Sequence, residues 1–128
     1  MKVLLDTHTF LWWITDAAEL SDPARAVLAD GANEVYLSAA SAWEIAIKAG
    51  RGRLTLADTP ERFVTQQLAK NYFRGLPVQL AHALHVFQLP DHHRDPFDRL
   101  LVAQSQLEGL PLVSADPEIK RYAVEVVW

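Results

Sequence analysis

Four acidic side chains are spread along the chain, each beside a run of apolar residues. Asp6 and Asp116 follow aliphatic runs that fit buried strands of a parallel sheet. Glu44 lies within an apolar helix, and Asp98 directly precedes another. Ligands of parallel α/β sheets bind beyond the carboxyl ends of the strands, so these carboxylates can meet at one edge. An all-oxygen ligand set of this kind suits Mg²⁺ or Mn²⁺, which can activate water for attack on a phosphodiester.

Each acid also has a structural interpretation. Asp6 fits the N-cap of the helix that follows it, and Asp95 and Asp98 fit the N-cap and third position of a helix that starts with proline. Glu44 can form an exposed i, i+4 pair with Lys48. Like charges 4 Å apart repel by about 4 kcal/mol at an effective dielectric of ~20, so a cluster of the four needs compensation. Arginines would give a salt-bridge network, and divalent cations would give a metal site.

The basic residues nearest to the acids are candidates for binding phosphate. Gly50-Arg51-Gly52-Arg53 is the most concentrated basic run in the sequence. It fits an ordinary solvated loop, or a loop in which glycine lets the backbone approach a phosphate closely. The predicted phosphate contacts are Lys48, Arg51, Arg53, Arg94 and Arg99.

The histidines give weaker signals. His82 and His85 lie at i, i+3 on a predicted helix, where histidines are more often accommodated polar residues than metal ligands. His92 and His93, in a loop before the Asp98 helix, are weak candidates for a contact with substrate.

Two adjacent tryptophans, Trp12 and Trp13, lie on a short apolar helix predicted at residues 8–14. Neighbouring residues of a helix point in different directions, so both rings are hard to bury in one small domain. They fit either the core or a surface that contacts a partner protein.

The residues described above lie on or beside predicted strands and helices, which alternate along much of the chain. Strands are predicted at residues 2–7, 34–37, 76–78, 110–113 and 124–128. Helices are predicted at residues 8–14, 23–29, 39–49, 61–70 and 81–87, and from 96 to the residue before Gly109. The helix at 39–49 is apolar nearly all round, except for a stripe of Ser41, Glu44 and Lys48, which favours a buried helix with its stripe facing a cleft. This order predicts an α/β fold with a mostly parallel sheet.

The composition limits the class of protein. The 128 residues, half of them hydrophobic, fit a single domain at residues 1–128. The chain has no cysteine, which excludes disulfides, thiol nucleophiles and cysteine metal sites. A net charge of −4 argues against a non-specific nucleic-acid binder, but not against a nuclease whose acidic pocket binds cations. No basic leader segment and no apolar run near ~18 residues is present, so we expect a cytoplasmic protein without a membrane span.

In chain order, the acids and their neighbours resemble the four motifs of PIN-domain nucleases. The matching segments are Asp6-Thr7, Ser41-Ala42-Trp43-Glu44-Ile45, Asp98-Arg99-Leu100-Leu101-Val102-Ala103 and Ser114-Ala115-Asp116. The small size and residues 93–99 most resemble VapC-type toxins of toxin-antitoxin pairs. The resemblance implies a three-layer α/β/α sandwich with the first strand central and a Mg²⁺- or Mn²⁺-dependent endoribonuclease, in many cases acting on structured RNA such as tRNA. It also implies a homodimer and inhibition by a cognate antitoxin.

The resemblance also implies roles for individual residues. Asp6, Glu44 and Asp98 are the expected catalytic, metal-binding core, and Asp116 is the more variable fourth acid. Asp98 is preferred to Asp95 because it directly precedes the apolar helix. The family often has threonine just before the last aspartate, whereas here Ser114 stands two residues before it. The expected supporting residues are Thr7, Ser41, Asp95 and Ser114.

Two other classes of protein compete with the nuclease. One is a PIN-like binding module that has lost catalysis, although the presence of all four acids argues against it. The other is a Mg²⁺-dependent phosphotransfer enzyme with an aspartyl nucleophile. A haloacid dehalogenase needs a second acid two residues after Asp6, where His8 stands, and a receiver domain needs paired acids there and a lysine after a late strand. These departures favour the nuclease.

Overall fold

The computed structural model describes residues 1–128 and contains one five-stranded, wholly parallel sheet. The strand order is β3-β2-β1-β4-β5, so the first strand is central, as predicted. The strands are β1 (Lys2–Leu5), β2 (Glu34–Ser38), β3 (Arg74–Leu76), β4 (Leu112–Val113) and β5 (Val126–Val127).

Helices cover both faces of the sheet. They are α1 (Thr7–Ile14), α2 (Asp22–Ala29), α3 (Ala39–Gly50), α4 (Pro60–Asn71), α5 (Leu80–His85) and α6 (Pro96–Glu108), with 3₁₀ turns at Val86–Gln88 and Ile119–Arg121. Val3 and Leu5 of β1 pack into one hydrophobic cluster, whereas Leu4 packs into another on the opposite face. The three-layer α/β/α prediction is therefore confirmed. None of the helices combines the length and apolar character needed to span a membrane.

Local sequence signals set the ends of the helices near the acids. Ser38 is the N-cap of α3 and accepts a hydrogen bond from the Ala40 amide at 3.0 Å. Asp95 is the N-cap of α6, and Gly109 ends that helix at a φ of 66°, in the left-handed region that glycine tolerates best. Because α3 and α6 begin where the sequence indicates, Glu44 and Asp98 lie in defined positions.

Several predicted elements differ from the structure. The strands predicted at residues 2–7, 110–113 and 124–128 are shorter, at Lys2–Leu5, Leu112–Val113 and Val126–Val127. The third strand spans Arg74–Leu76 rather than residues 76–78, because Pro77 has no amide hydrogen for the sheet.

The α3 helix is not buried all round: Ala39, Trp43 and Ala46 are exposed, and Trp43 is 62% exposed. Its alanine-rich outer face is apolar in sequence, but the rest of the chain leaves that face largely uncovered.

Candidate active site

Asp6 lies at the carboxyl end of the central strand and is buried. Its Oδ1 atom accepts a hydrogen bond from the Thr9 amide at 2.8 Å, so it does cap α1. Its Oδ2 atom accepts one from the Ser114 hydroxyl at 2.5 Å. A carboxylate has about four lone-pair positions, so this capping role leaves acceptor capacity for a ligand. The cap and the site are therefore compatible functions of one residue.

Glu44 is held on the buried side of α3 and is only 5% exposed. The Thr7 hydroxyl lies 2.7 Å from Glu44 Oε1 and 3.0 Å from the Ser41 hydroxyl. Lys48 Nζ donates to Glu44 Oε2 at 2.6 Å. The i, i+4 pair with Lys48 is therefore present, but it is not an exposed surface pair, because Glu44 points inward to the acidic cluster.

His93 joins the other two acids. Its Nε2 atom lies 3.0 Å from Asp98 Oδ2 and 2.8 Å from Asp116 Oδ2. When His93 is neutral, its Nδ1 atom accepts a hydrogen bond from the Asp95 amide at 3.2 Å, and Nε2 carries the proton toward the carboxylates. Ligand atoms of His93, Asp98 and Asp116 all lie within 4.8 Å of one another, a spacing that suits a shared metal ion.

The acids affect one another electrostatically. Burial, together with the negative charges of Asp95, Asp6 and Glu44, raises the pKa of Asp98 to about 7 against the opposing effect of His93. Burial alone would lower the pKa of His93, but the hydrogen bond to Asp116 and the surrounding carboxylates raise it above 6.5. These shifts show that the predicted acids lie close together.

The residues present fit a divalent cation. The cluster offers several carboxylate oxygens, the ligands that Mg²⁺ and Mn²⁺ prefer. No arginine forms an ion pair with Asp6, Asp98 or Asp116, so the alternative of an arginine salt-bridge network does not hold. Lys48 contacts only Glu44 within the cluster. The excess negative charge is therefore left for a proton or a metal ion to neutralise.

The predicted supporting residues lie around this cluster. Thr7 and Ser41 hold Glu44, as described above, and Asp95 Oδ1 accepts hydrogen bonds from the Phe97 and Asp98 amides at 2.8 and 3.2 Å. The Ser114 hydroxyl, besides donating to Asp6, accepts from the Asp116 amide at 3.0 Å. Asp95 is thus the cap and Asp98 the inward-facing acid, as we expected.

The five predicted phosphate contacts fall into three groups. Lys48, Arg51 and Arg53 line a cavity of about 210 Å³ together with Glu44 and Asp95. Arg94 is exposed at the protein surface. Arg99 was expected to contact phosphate, but its guanidinium group is hydrogen-bonded within the protein.

Arg99 fastens the segment before α6 to the rest of the chain. Its guanidinium donates to the Pro90 carbonyl at 2.9 Å, the Tyr122 hydroxyl at 3.1 Å and the Val86 carbonyl at 3.2 Å. We expect Arg99→Met to lower the free energy of unfolding by about 1–3 kcal/mol, because it leaves the partly buried Tyr122 hydroxyl and Val86 carbonyl without this donor. Arg94→Met, the matched control at an exposed position, should leave it unchanged. Equal urea midpoints for the two variants would contradict this structural role.

The two tryptophans of α1 are half-buried. Trp12 packs against Trp128 at a ring distance of 5.8 Å. Trp13 packs against Phe73 at 6.2 Å, and its Nε1 atom donates to Asn71 at 3.0 Å. Their contact with a partner protein stays a prediction. The most exposed large apolar side chains lie elsewhere, at Trp43, Tyr72, Leu80, Leu84 and Phe87.

His82 and His85 lie away from the cluster. His82 is buried, with its Nε2 atom 2.8 Å from Glu108 Oε1 and its Nδ1 atom accepting from the Gln79 amide at 2.9 Å. His85 Nε2 lies 2.8 Å from Gln106 Oε1. Both are structural residues of the α5–α6 contact, in agreement with the sequence interpretation.

The parallel sheet and the acids at its edge define a PIN domain. The family model described as PIN domain matches residues 3–125, so the chain belongs to this family. Among curated relatives, it is 32% identical over 121 residues to Ribonuclease VapC22 of Mycobacterium tuberculosis, covering 94% of this chain and 91% of that protein. It is 36% identical over 69 residues to Ribonuclease VapC16 of the same organism, covering 54% and 49%.

Solved structures share the fold at lower identity. VapBC2 of Rickettsia felis, bound to a promoter DNA fragment, superposes with a TM-score of 0.70 at 13% identity, covering 98% of this chain and 97% of that one. FitAcB of Neisseria gonorrhoeae superposes with a TM-score of 0.65 at 22% identity, covering 98% and 96%. These likenesses confirm the fold.

Proposed function

We propose that this protein is the toxin of a toxin-antitoxin pair, and that it is a metal-dependent endoribonuclease that hydrolyses RNA phosphodiester bonds. The main observation behind this proposal is the convergence of Asp6, Glu44, Asp98 and Asp116 on one site that no arginine neutralises. The ribonuclease names of the two VapC relatives support the same chemistry.

In this proposal the four acids hold Mg²⁺ or Mn²⁺. The bound ion would supply an activated water and stabilise the negative charge that develops on the phosphate. Ser114 keeps Asp6 oriented, and Thr7 and Lys48 keep Glu44 oriented, through the hydrogen bonds described above. Such fixed outer contacts matter, because they keep the ligands in place before substrate binds.

We assign the contact with substrate phosphate to the basic wall beside Glu44. Arg51 and Arg53 are exposed and have no acidic partner, so their charges are free to bind RNA. We expect the double variant Arg51→Gln, Arg53→Gln to bind single-stranded RNA more weakly and with a shallower salt dependence. The slope of log K against log salt should fall by about 0.7 for each lost phosphate contact.

The matched control for this experiment is the double variant Lys70→Gln, Lys120→Gln. It removes the same net charge from exposed positions away from the site. Equal salt slopes for the two double variants would contradict the assignment, because the effect would then depend on net charge alone. Fluorescence anisotropy at several salt concentrations measures both quantities.

The partners we propose are RNA, a cognate antitoxin protein and a second copy of the chain. The similar solved structures include a toxin-antitoxin complex from Klebsiella pneumoniae as well as VapBC2, which supports an antitoxin partner. Large apolar side chains that remain exposed, such as Trp43 and Phe87, leave surface for these contacts.

Incubation of purified, antitoxin-free protein with total RNA tests the proposed activity. We expect a small number of discrete fragments on a denaturing gel, and sequencing of their ends would identify the cleaved RNA and the bond. Single-stranded DNA of similar length serves as the comparison substrate. RNA that stays intact with folded protein in Mg²⁺ and in Mn²⁺ would favour a binding module or another phosphoryl substrate.

A further inference from the structure

Two separate cavities adjoin the acidic cluster. The first, which we call the basic cavity, is the one lined by Lys48, Arg51 and Arg53 beside Glu44. The second, of about 320 Å³, we call the aromatic cavity; its lining residues are Asp6, His8, Trp12, Ala115, Asp116 and Pro117. Glu44 lines the first cavity, and Asp6 and Asp116 line the second. The acidic cluster therefore adjoins both cavities.

Two stacked rings, those of His8 and Trp12, line the aromatic cavity. His8 and Trp12 are one turn apart on α1, and their rings are stacked at 5.7 Å with an interplanar angle of 27°. Trp12 packs in turn against Trp128, and this contact limits its movement. His8 is exposed to solvent. The aromatic cavity thus presents a fixed ring surface next to Asp6.

The chemistry of this cavity suits a base and not a phosphate. Its lining residues include neither lysine nor arginine, so the cavity offers no cationic side chain to a backbone phosphate. Aromatic rings are the surfaces on which unpaired bases stack in proteins that bind single strands. A volume of about 320 Å³ lies at the small end of the range for ligand pockets.

We propose that the aromatic cavity binds an unpaired RNA base next to the scissile phosphate, while the basic cavity binds backbone phosphate. This inference rests on the proposed function and adds to it a base-binding subsite formed by His8 and Trp12. A base that is paired and stacked within a duplex is not free to stack on these rings.

The test compares two probes that differ only in their bases. One is fluorescein-labelled oligo(A), and the other is a ribose-phosphate chain of the same length without bases. Binding is measured in Mg²⁺ in the Asp98→Asn background, so that the RNA stays intact. We expect His8→Ala and Trp12→Leu each to weaken oligo(A) binding about tenfold, without changing the affinity for the base-free chain.

Tyr72→Leu is the matched control, because it replaces an exposed aromatic side chain that lies outside both cavities. His8→Ala keeps the test decisive if Trp12→Leu misfolds, since His8 is exposed. Oligo(A) binding that is unaffected by His8→Ala, or lowered equally for both probes, would overturn the inference. So would an effect confined to Tyr72→Leu.

Binding and cleavage measurements together separate a failure of the base-binding inference from a failure of the proposed nuclease activity. Wild-type protein that cleaves RNA while His8→Ala binds oligo(A) normally would overturn only the base-binding inference. Protein that never cleaves RNA, but binds oligo(A) through His8 and Trp12, would support base binding and overturn the nuclease.

Discussion

Replacing Asp6 or Asp98 by asparagine is expected to lower the rate of RNA cleavage by about 100-fold or more. Asparagine keeps the size of each side chain but removes a negative charge and an anionic ligand from the site. Both acids lie within the cluster, and Asp98 is the acid whose pKa its neighbours raise most clearly. The initial rate of cleavage of an end-labelled RNA at saturating Mg²⁺ measures the effect.

Asp91→Asn is the matched control for these two variants. Asp91 is an acid in the loop before α6, but its side chain is 95% exposed. Its one ion pair joins Asp91 Oδ1 to Arg99 Nη1 at 3.9 Å. Its replacement should leave the cleavage rate unchanged. An Asp98→Asn protein that cleaves as fast as the Asp91→Asn protein would remove Asp98 from the catalytic site.

The stability of the metal-free protein is expected to fall as the pH rises from about 4 to about 8. The folded-state pKa of Asp98, about 7, is well above the ordinary aspartate value of 3.8, so the folded protein binds the proton more tightly than the unfolded chain. Stability is therefore lost as the pH rises through that interval. The raised pKa of His93 acts in the same direction, because its stabilising charge is lost as the pH rises above 6.5.

Asp98→Asn should remove most of this pH dependence and should give a higher Tm than wild type above pH 7 in EDTA. Millimolar Mg²⁺ or Mn²⁺ should raise the Tm of wild type at pH 8, because ions that bind the folded state stabilise it. The ions should have little effect on the Tm of the Asp98→Asn protein. A wild-type Tm that is independent of pH in EDTA would contradict this account of the cluster.

The sequence allowed the sheet and most of the acidic site to be predicted, for a physical reason. Aliphatic runs that end in Asp6 or Asp116 have only one good position, in the centre of a parallel sheet with the acid at its edge. Helix caps then locate Glu44 and Asp98. These signals are local, so they can be read without knowledge of the tertiary contacts.

His93 and Arg99 could not be assigned in the same way. His93 bridges Asp98 and Asp116, and the second of these is 23 residues away in sequence. Arg99 lies beside Asp98 in the motif, but its guanidinium points to backbone carbonyls of residues 86–93. Both roles depend on the path of a loop that has no regular pattern. The one signal for His93 was its position two residues before the Asp95 cap.

The outer face of α3 was mispredicted for a different reason. Alanine is compatible with both buried and exposed positions, so Ala39 and Ala46 carried little information about burial. The apolar character of Trp43 then favoured a buried helix, although the structure leaves this ring exposed against Phe97 at 5.4 Å. An exposed tryptophan beside the site is information that only the structure provides.

The most direct test of the central claim is the rate of RNA cleavage by chelator-stripped wild-type protein as Mg²⁺ or Mn²⁺ is added back. The account predicts no cleavage in EDTA, a rate that rises and saturates with either ion, and no rise for Asp6→Asn. Cleavage that continues at the full rate in EDTA, with the stripped protein verified to be free of metal, would contradict the assignment of the four acids as a metal-dependent catalytic site.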